Sequence, residues 1–139
     1  MKIAVIDGMG GGIGAQVVAR LKQVLRAEDS LVALGTNAIA TGGMVKAGAQ
    51  IGATGENAII VSAPTADVIV GPVGIIIPNS LLGEITPGIA TAIASCKAVK
   101  ILVPIAQPHV ELIGLEARPL SAVLDDVAAR VSGLLMVGG

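Results

Sequence analysis

Short apolar runs alternate with segments of helical periodicity in the first part of the chain. The run KIAVI at residues 2–6 is short, rich in β-branched residues and followed by glycines, which is typical of a buried strand. Residues 30–35, SLVALG, have the same character. Between these strands, apolar residues recur at helical spacing: Ile13, Val17, Val18, Leu21, Val24 and Leu25. Because a helix connects the two strands, we expect the strands to be parallel.

A weaker helix is predicted next, at residues 38–49. Thr36 or Asn37 can cap its start, because both side chains can accept a hydrogen bond from a free amide of the first turn. Gly42 and Gly43 weaken it, since each costs up to about 1 kcal/mol in a helix interior. Two adjacent glycines there suggest that the backbone closely approaches a neighbouring element or a ligand.

The segment after this helix is ambiguous between a helix and a strand at residues 55–63. Thr54 could cap a helix, whereas residues 59–61, IIV, are β formers. The following segment, residues 67–71, is predicted as a strand. The ambiguous segment is therefore either a second crossover helix or part of a hairpin, and the helix is slightly favoured.

The second half of the chain predicts two more strands and two helices. Thr86 followed by Pro87 is a favoured start for a helix, and residues 100–104 form the next strand. Only about five residues separate that strand from residues 110–115, too few for a parallel crossover, so an antiparallel edge strand is expected. The last helix carries the clearest apolar stripe, with Asp126 and Arg130 as an i,i+4 pair outside it. Its members are Leu120, Val123, Leu124, Val127, Ala128, Val131 and Leu134.

These elements predict a single Rossmann-like domain spanning residues 1–139. The expected order is β-α-β-α-β-α-β-β-α, which gives a three-layer α/β sandwich with an open, mostly parallel sheet of the Rossmann-like or flavodoxin-like type. A chain of 139 residues suits one domain with one core.

Composition excludes several classes of function. The net charge is −1, and the chain contains no Phe, Tyr or Trp, so it has neither the basic patch nor the stacking platforms that nucleic-acid binding requires. Cys96 and His109 are the only residues of their types, which excludes an internal disulfide and a structural zinc site, and no metal site is predicted. A reducing cytoplasm is the expected compartment.

Hydropathy predicts a soluble protein that associates with itself. The longest apolar stretch, residues 68–77, is shorter than the roughly 20 residues of a membrane helix, and the N-terminal apolar run is too short for a signal peptide, so no membrane partner is expected. However, 53% of residues are hydrophobic and only 14% are charged. Because residues 30–95 carry only four charges, we expect a homo-oligomer whose interface uses this middle third. An unusually well-covered central sheet is the alternative.

The candidate chemistry lies in the glycine-rich turn GMGGGIG, residues 8–14. Gly8, Gly12 and Gly14 have the spacing G-x-x-x-G-x-G, and Gly10 and Gly11 also lack side chains. The N-terminus of a helix has unpaired N–H groups and a partial positive charge, and glycines let a phosphate approach them. The turn therefore predicts binding of a phosphate-bearing small ligand, a nucleotide or dinucleotide. Alternatively, the glycines serve only a tight turn and close packing.

The spacing of this turn resembles the cofactor loop of the short-chain dehydrogenases, and GGGIG is similar to the phosphate loops of the tubulin-like GTPases. Dehydrogenase chemistry does not follow, because the Tyr of the Tyr-x-x-x-Lys pair is absent. The second strand ends without the acidic residue that holds a ribose hydroxyl, so Thr36 and Asn37 are only neutral partners there. A Walker loop is excluded because no lysine follows the glycines. The cofactor is unknown, with NAD(P) or another nucleotide suspected.

The ligand contacts are expected at the edge of the sheet where the parallel strands end. Asp7 could hold a ribose hydroxyl or Mg²⁺, or could cap the amides of the turn. Residues 71–80 are the expected opposite wall. The full set of candidate binding residues is Asp7, Gly8, Gly10, Gly11, Gly12, Ile13, Gly14, Thr36, Asn37, Gly71, Pro72, Gly74, Asn79 and Ser80.

No residue is assigned a catalytic role. A small enzyme acting on a phosphorylated or nucleotide substrate through Asp7, Lys46 or Glu84 is the alternative to a binding protein, and a structural or interaction protein is a third possibility. His109 lacks a sequence partner for a catalytic unit. The remaining candidates have simpler interpretations: Glu56 and Asn57 open a helix, Thr86 caps one, and Cys96 lies on an apolar stripe.

Over most of its length the chain resembles a short bacterial family that is classed as a domain of unknown function. The resemblance rests on the segments VIDGMGGGIG, ALGTN, ATGENAI, GPVGIIIPNSLLGEIT and KILVPI. It implies no assigned activity. It favours a family of its own over a degenerate fragment of a larger enzyme.

Overall fold

The computed structural model describes residues 1–138 and shows a five-stranded, fully parallel sheet. The strand order is β3-β2-β1-β4-β5, so the direction of winding reverses between β1 and β4. The strands are β1 (Lys2–Asp7), β2 (Ser30–Gly35), β3 (Ile51–Thr54), β4 (Val68–Pro72) and β5 (Val99–Val103). The predicted α/β class with an open parallel sheet is confirmed.

Five helices cover the two faces of the sheet. They are α1 (Gly12–Leu21), α2 (Ala38–Ala47), α3 (Glu56–Ser62), α4 (Pro87–Ser95) and α5 (Leu120–Gly138). One core lies under α1, α2 and α5, where Val17, Met44 and Val131 are fully buried. The other lies under α3 and α4, where Ile59 and Ile93 are fully buried. Each such side chain contributes about 1.5–3 kcal/mol of burial free energy, so both faces hold the sheet in place.

Two predicted helix starts are confirmed by their hydrogen bonds. Asn37 Oδ1 accepts from the amide of Ala40 at 2.9 Å and caps α2. Thr86 Oγ1 accepts from the amide of Ile89 at 3.1 Å and caps α4, with Pro87 as the first helical residue. In both cases a side-chain oxygen takes an amide that has no partner within its helix.

The expected antiparallel edge strand at residues 110–115 is wrong. Residues 104–119 form an irregular connection from β5 to α5, with one isolated antiparallel bridge between Gln107 and Val110. His109 and Gly114 both have positive φ, which an extended strand does not allow. Leu112, Ile113 and Leu115 of this segment are exposed, with Ile113 at 91%.

A different edge strand, β3, was not predicted, and it resolves the ambiguous middle segment. Because β3 takes Thr54 as its last residue, Gly55, with φ 104°, precedes α3, and the favoured helix at residues 56–62 is observed.

Gly42 and Gly43 meet no neighbouring element, since nothing lies within 4 Å of a Cβ built on either. The expected close approach of their backbone to another element is therefore wrong.

The last helix follows its predicted stripe but not its predicted ion pair. Leu124, Val127, Val131 and Leu135 are its buried residues. Asp126 pairs with Arg118, in the segment before the helix, instead of with Arg130. Among residues 1–138, no helix combines the length and the apolar character needed to cross a membrane.

Candidate functional site

The glycine-rich turn lies at the point where the strand order of the sheet reverses. It joins the end of β1 to the start of α1, and the ends of β2 and β4 lie on either side of it. In open α/β sheets this crevice, beyond the carboxyl ends of the strands, is where ligands bind. The structure thus brings the predicted turn to the expected edge of the sheet.

Asp7 caps the turn from inside. Its Oδ1 accepts from the amide of Gly8 at 2.8 Å, and its Oδ2 accepts from the amide of Gly14 at 2.7 Å. The side chain is buried, and this burial raises the pKa of Asp7, against the two amide hydrogen bonds, which lower it. Asp7 was expected either to hold a ribose hydroxyl or Mg²⁺ or to cap the amides of the turn, and these contacts are those of a cap.

The five glycines of the turn fall into two groups. Gly8, Gly11 and Gly14 are buried in close contacts, since a Cβ on Gly8 would lie 2.5 Å from Thr36 Oγ1 and one on Gly14 would lie 2.8 Å from Asp7 Cβ. Gly11, with φ 72°, is packed against the backbone of α2. In contrast, Gly10 and Gly12 are exposed, and nothing lies within 4 Å of a Cβ built on them. Packing therefore explains three of the glycines and leaves two unexplained.

Three backbone amides at and next to these two glycines have no protein acceptor within the described part of the chain. Among residues 1–138, the N–H groups of Gly10, Gly12 and Ile13 donate to no protein acceptor. Gly12 and Ile13 are the first two residues of α1, where the helix dipole contributes about half a positive charge. The outer side of the turn thus offers three N–H donors. Two of them, at Gly10 and Gly12, belong to residues without a side chain.

A carboxylate from a distant loop reaches the other side of the turn. Glu84 Oε1 accepts from the amide of Met9 at 2.9 Å, from Asn37 Nδ2 at 3.0 Å and from the Thr36 hydroxyl. Asn37 Nδ2 also donates to the carbonyl of Met9 at 2.9 Å. Thr36 and Asn37 directly follow β2, so an acidic group stands at the end of this strand although the strand itself carries none.

Only one oxygen of this carboxylate is used. Burial raises the pKa of Glu84, but the hydrogen bonds from Thr36, Met9 and Asn37 together outweigh it, and its pKa lies below the ordinary value. Glu84 Oε2 accepts no hydrogen bond from residues 1–138, and it is reached by solvent, since no buried side-chain oxygen there lacks a partner. Glu84 thus presents one free, charged oxygen beside the turn.

The loop that carries Glu84, residues 77–86, is conformationally strained. Asn79, Leu81 and Leu82 have positive φ values of 66°, 54° and 54°, a region that costs leucine about 1–2 kcal/mol. The loop is held by Asn79 N, which donates to the carbonyl of Ile85 at 2.7 Å, and by the buried Ser80 hydroxyl, which donates to the carbonyl of Gly74. The Ser80 hydroxyl therefore ties the loop to the preceding segment at Gly74, whereas Asn79 is exposed.

A cavity of about 260 Å³ opens along the outer side of the turn. Pro72, Leu81 and Ile105 form its far wall, so Pro72 is the one residue of the predicted wall, 71–80, that lines it. Gly71 packs against β1, where a Cβ would lie 2.4 Å from the carbonyl oxygen of Ile6. Gly74 packs against the side chain of Gln107. Ile105 could not be identified from the sequence, because it lies in the segment assigned to an edge hairpin.

A larger cavity, of about 540 Å³, lies between the end of β5, the 104–119 connection and the start of α5. Its lining is mainly apolar, and it includes Val73 and Ile105. Ile105 also lines the smaller cavity, and Val73 adjoins Pro72, so the two cavities are neighbours along the same edge of the sheet.

The other candidate residues stand apart from the turn. Glu56 lies in the first turn of α3, Cys96 Sγ donates to the carbonyl of Ile93 at 3.2 Å, and Lys46 is exposed on α2. His109 is exposed at a turn in the 104–119 connection. Within residues 1–138, no group of three or more His, Cys, Asp or Glu side chains is placed to hold a metal ion.

The strand order and the glycine turn after β1 define a Rossmann-like α/β protein. A family model described as Domain of unknown function (DUF3842) matches residues 2–136, and the chain belongs to this family. No curated protein and no solved structure matches the chain.

Proposed function

We propose that the protein binds the phosphate portion of a nucleotide or dinucleotide on the outer side of the glycine-rich turn. The observation that carries this proposal is the pairing of open space with free amides at Gly10 and Gly12. Packing accounts for Gly8, Gly11 and Gly14, but it gives no reason for glycine at the other two positions. A phosphate that accepts from the amides of Gly10, Gly12 and Ile13 gives such a reason.

The internal carboxylate of Asp7 is compatible with this ligand. Because Asp7 takes the amides of Gly8 and Gly14, it orders the turn without occupying the three outward donors. The residue lines the same cavity as the outward donors but is only 4% exposed, and both of its carboxylate oxygens are occupied by the amides of Gly8 and Gly14. The division of donors supports a preformed anion site, since no amide has to change partner when a phosphate binds.

The adjoining cavities favour a ligand larger than a phosphate ion. The smaller cavity of about 260 Å³ begins at the turn, and the larger one continues toward β5 past Ile105. Together they offer a crevice with mainly apolar walls, which suits the remainder of a nucleotide or dinucleotide. Binding is the proposed activity, and no residue is assigned a catalytic role.

A thermal-shift and calorimetric screen tests the proposal. The panel contains NAD(H), NADP(H), ATP, GTP, FMN, S-adenosylmethionine and inorganic pyrophosphate. A true ligand at about 100 times its dissociation constant adds roughly 2.7 kcal/mol to the free energy of unfolding and raises the melting temperature. Gly12→Val places a side chain in the open space before the free amides, and we expect it to abolish the shift.

Gly42→Val is the matched control, because Gly42 also has nothing within 4 Å of a Cβ but lies in α2, away from the turn. It should keep the ligand response of the native protein. The proposal is wrong if no member of the panel binds, or if a bound phosphate compound binds equally well to folded Gly12→Val.

We also propose that the protein forms a homo-oligomer through the face made by α2 and β3 at the edge of the sheet, to which Ile39 and Ile51 contribute from opposite sides of the sheet plane. Ile39 on α2 and Ile51 on β3 are 74% and 62% exposed, and Val45 between them in sequence is 40% exposed. β3 is a sheet edge, so its outer backbone groups have no strand partner among residues 1–138. These residues lie within the apolar middle third of the chain, and association would remove them from water.

A further inference from the structure

We propose that the free oxygen of Glu84 accepts a ribose 2′-hydroxyl, so that the ligand is a nucleotide with an unmodified ribose diol and a 2′-phosphate is excluded. This inference rests on the proposed function, because it assumes that a nucleotide phosphate occupies the turn. It adds a residue and a selectivity that the phosphate site alone does not provide.

The first support is the position of the carboxylate. In dinucleotide-binding folds, the ribose hydroxyls are held by an acidic residue at the end of the second strand. β2 of this protein ends in Gly35 and is followed by the neutral residues Thr36 and Asn37. Glu84 is not part of this strand, but its side chain accepts hydrogen bonds from both neutral residues. An acid therefore stands at the end of β2, supplied by the loop after β4, and we place the ribose beside it.

The second support is how the carboxylate is held. Oε1 is occupied by three donors, from Met9, Thr36 and Asn37, which fix the orientation of the group. Oε2 is left without a protein donor and open to solvent. A fixed, charged acceptor with one free oxygen is suited to a hydroxyl group, which can donate to it.

The same charge disfavours a 2′-phosphate. A dianionic group placed against Glu84 would face a carboxylate that its three hydrogen bonds keep ionised at neutral pH, with no arginine or lysine among its hydrogen-bond partners. Like charges at such short range oppose binding. Selectivity between ligands that differ only in the 2′-phosphate is the expected signature.

The test compares matched pairs of ligands by calorimetry: NADH with NADPH, and AMP with adenosine 2′,5′-bisphosphate. In each pair we expect the native protein to bind the first ligand at least about tenfold more tightly. In Glu84→Gln the amide oxygen can still accept from Met9, Thr36 and Asn37, while an NH₂ group replaces Oε2. We expect this variant to reduce the ratio to about threefold or less, with tighter binding of the 2′-phosphorylated ligands.

Glu56→Gln is the control, because it removes one exposed negative charge on α3 and should leave the ratio unchanged. An unchanged melting temperature of Glu84→Gln shows that the loop stays in place. Thr36→Val removes one donor to Oε1, and we expect this second variant to lower the affinity ratio within each ligand pair as well. Equal binding within each pair, or a ratio that Glu84→Gln leaves intact, overturns the inference but not the phosphate site. If pyrophosphate binds and no nucleotide does, the inference is overturned but the phosphate site is not. If no compound binds, both proposals are overturned.

Discussion

The carboxylate of Asp7 accepts a hydrogen bond from the amide of Gly14 at 2.7 Å, and it thereby ties the end of β1 to the first turn of α1. Its other oxygen takes the amide of Gly8 at 2.8 Å. One buried side chain thus satisfies a donor at each end of the turn. The geometry of the proposed anion site depends on this residue, which also lines the cavity beside the turn.

Asp7→Asn should lower the free energy of unfolding by about 1–2 kcal/mol, because an amide side chain has one acceptor for two buried N–H donors. Loss of the charge relieves part of the burial cost that raises the pKa of Asp7, which keeps the effect moderate. Urea denaturation measures the change. Asp125→Asn, at an exposed ion pair with Arg20, is the control and should change stability by less than about 0.5 kcal/mol. Equal effects of the two substitutions would contradict the capping role.

The two groups of glycines should respond oppositely to alanine. Gly14→Ala brings a Cβ to 2.8 Å from Asp7 Cβ and 2.7 Å from Met44 Sδ, and we expect a loss of about 1–3 kcal/mol in the free energy of unfolding. Gly12→Ala meets nothing within 4 Å at the start of α1, and alanine restricts the unfolded chain, so stability should be unchanged or rise by up to about 1 kcal/mol. Thermal unfolding of both variants measures the difference. A stability loss in Gly12→Ala as large as that in Gly14→Ala would show that packing also requires Gly12.

Stability should fall in acid partly through Asp29. The hydrogen bond from the Arg26 side chain, acting against burial, lowers the pKa of Asp29 far below its ordinary value of 3.8. A carboxyl whose pKa is lower in the folded state stabilises the fold above its ordinary pKa and loses this contribution as the pH falls. The difference in free energy of unfolding between the native protein and Asp29→Asn should therefore shrink between about pH 5 and pH 2.

Chemical denaturation at a series of pH values measures this difference. Asp125→Asn serves again as the control, since it removes a carboxylate that is 73% exposed. If the Asp29→Asn difference stays constant or grows toward low pH, the inferred direction of the Asp29 pKa is wrong.

Light scattering at micromolar concentration should return a multiple of the 13.7 kDa chain mass. Ile39→Lys combined with Ile51→Lys puts two charges on the face made by α2 and β3, and the mass should drop to that of one chain. Ile113→Lys, at a 91% exposed residue outside this face, should leave the mass unchanged. A native mass of 13.7 kDa rejects the oligomer, and dissociation by Ile113→Lys alone would locate the interface elsewhere.

Local patterns in the sequence predicted most of the fold. The glycine turn, the caps at Asn37 and Thr86 and the last helix all depend on neighbouring residues, and all three are observed. β3 was missed because it has only four residues, includes Gly52 and lies at an exposed edge, so it lacks an apolar run. Residues 110–115 have an apolar run but no strand, because positive φ angles at His109, just before the run, and at Gly114, within it, break the extended backbone.

The candidate site was less predictable than the fold. The sequence identifies the turn. Its division into packed and open glycines depends on contacts with Ala40 and Met44 of α2, which form only in the folded chain. Similarly, the missing acid at the end of β2 is supplied by a residue 48 positions after Thr36. No spacing rule connects such a pair, so only the folded structure could assign it.

The hydrogen bond from Met9 to Glu84 spans 75 positions of the chain. During synthesis the amino-terminal strands and helices emerge first, and residues 1–47 already contain the turn together with β2 and α2. The carboxylate arrives only after β4 has been made. A nascent chain that ends before residue 84 therefore lacks the group that we propose selects the ribose.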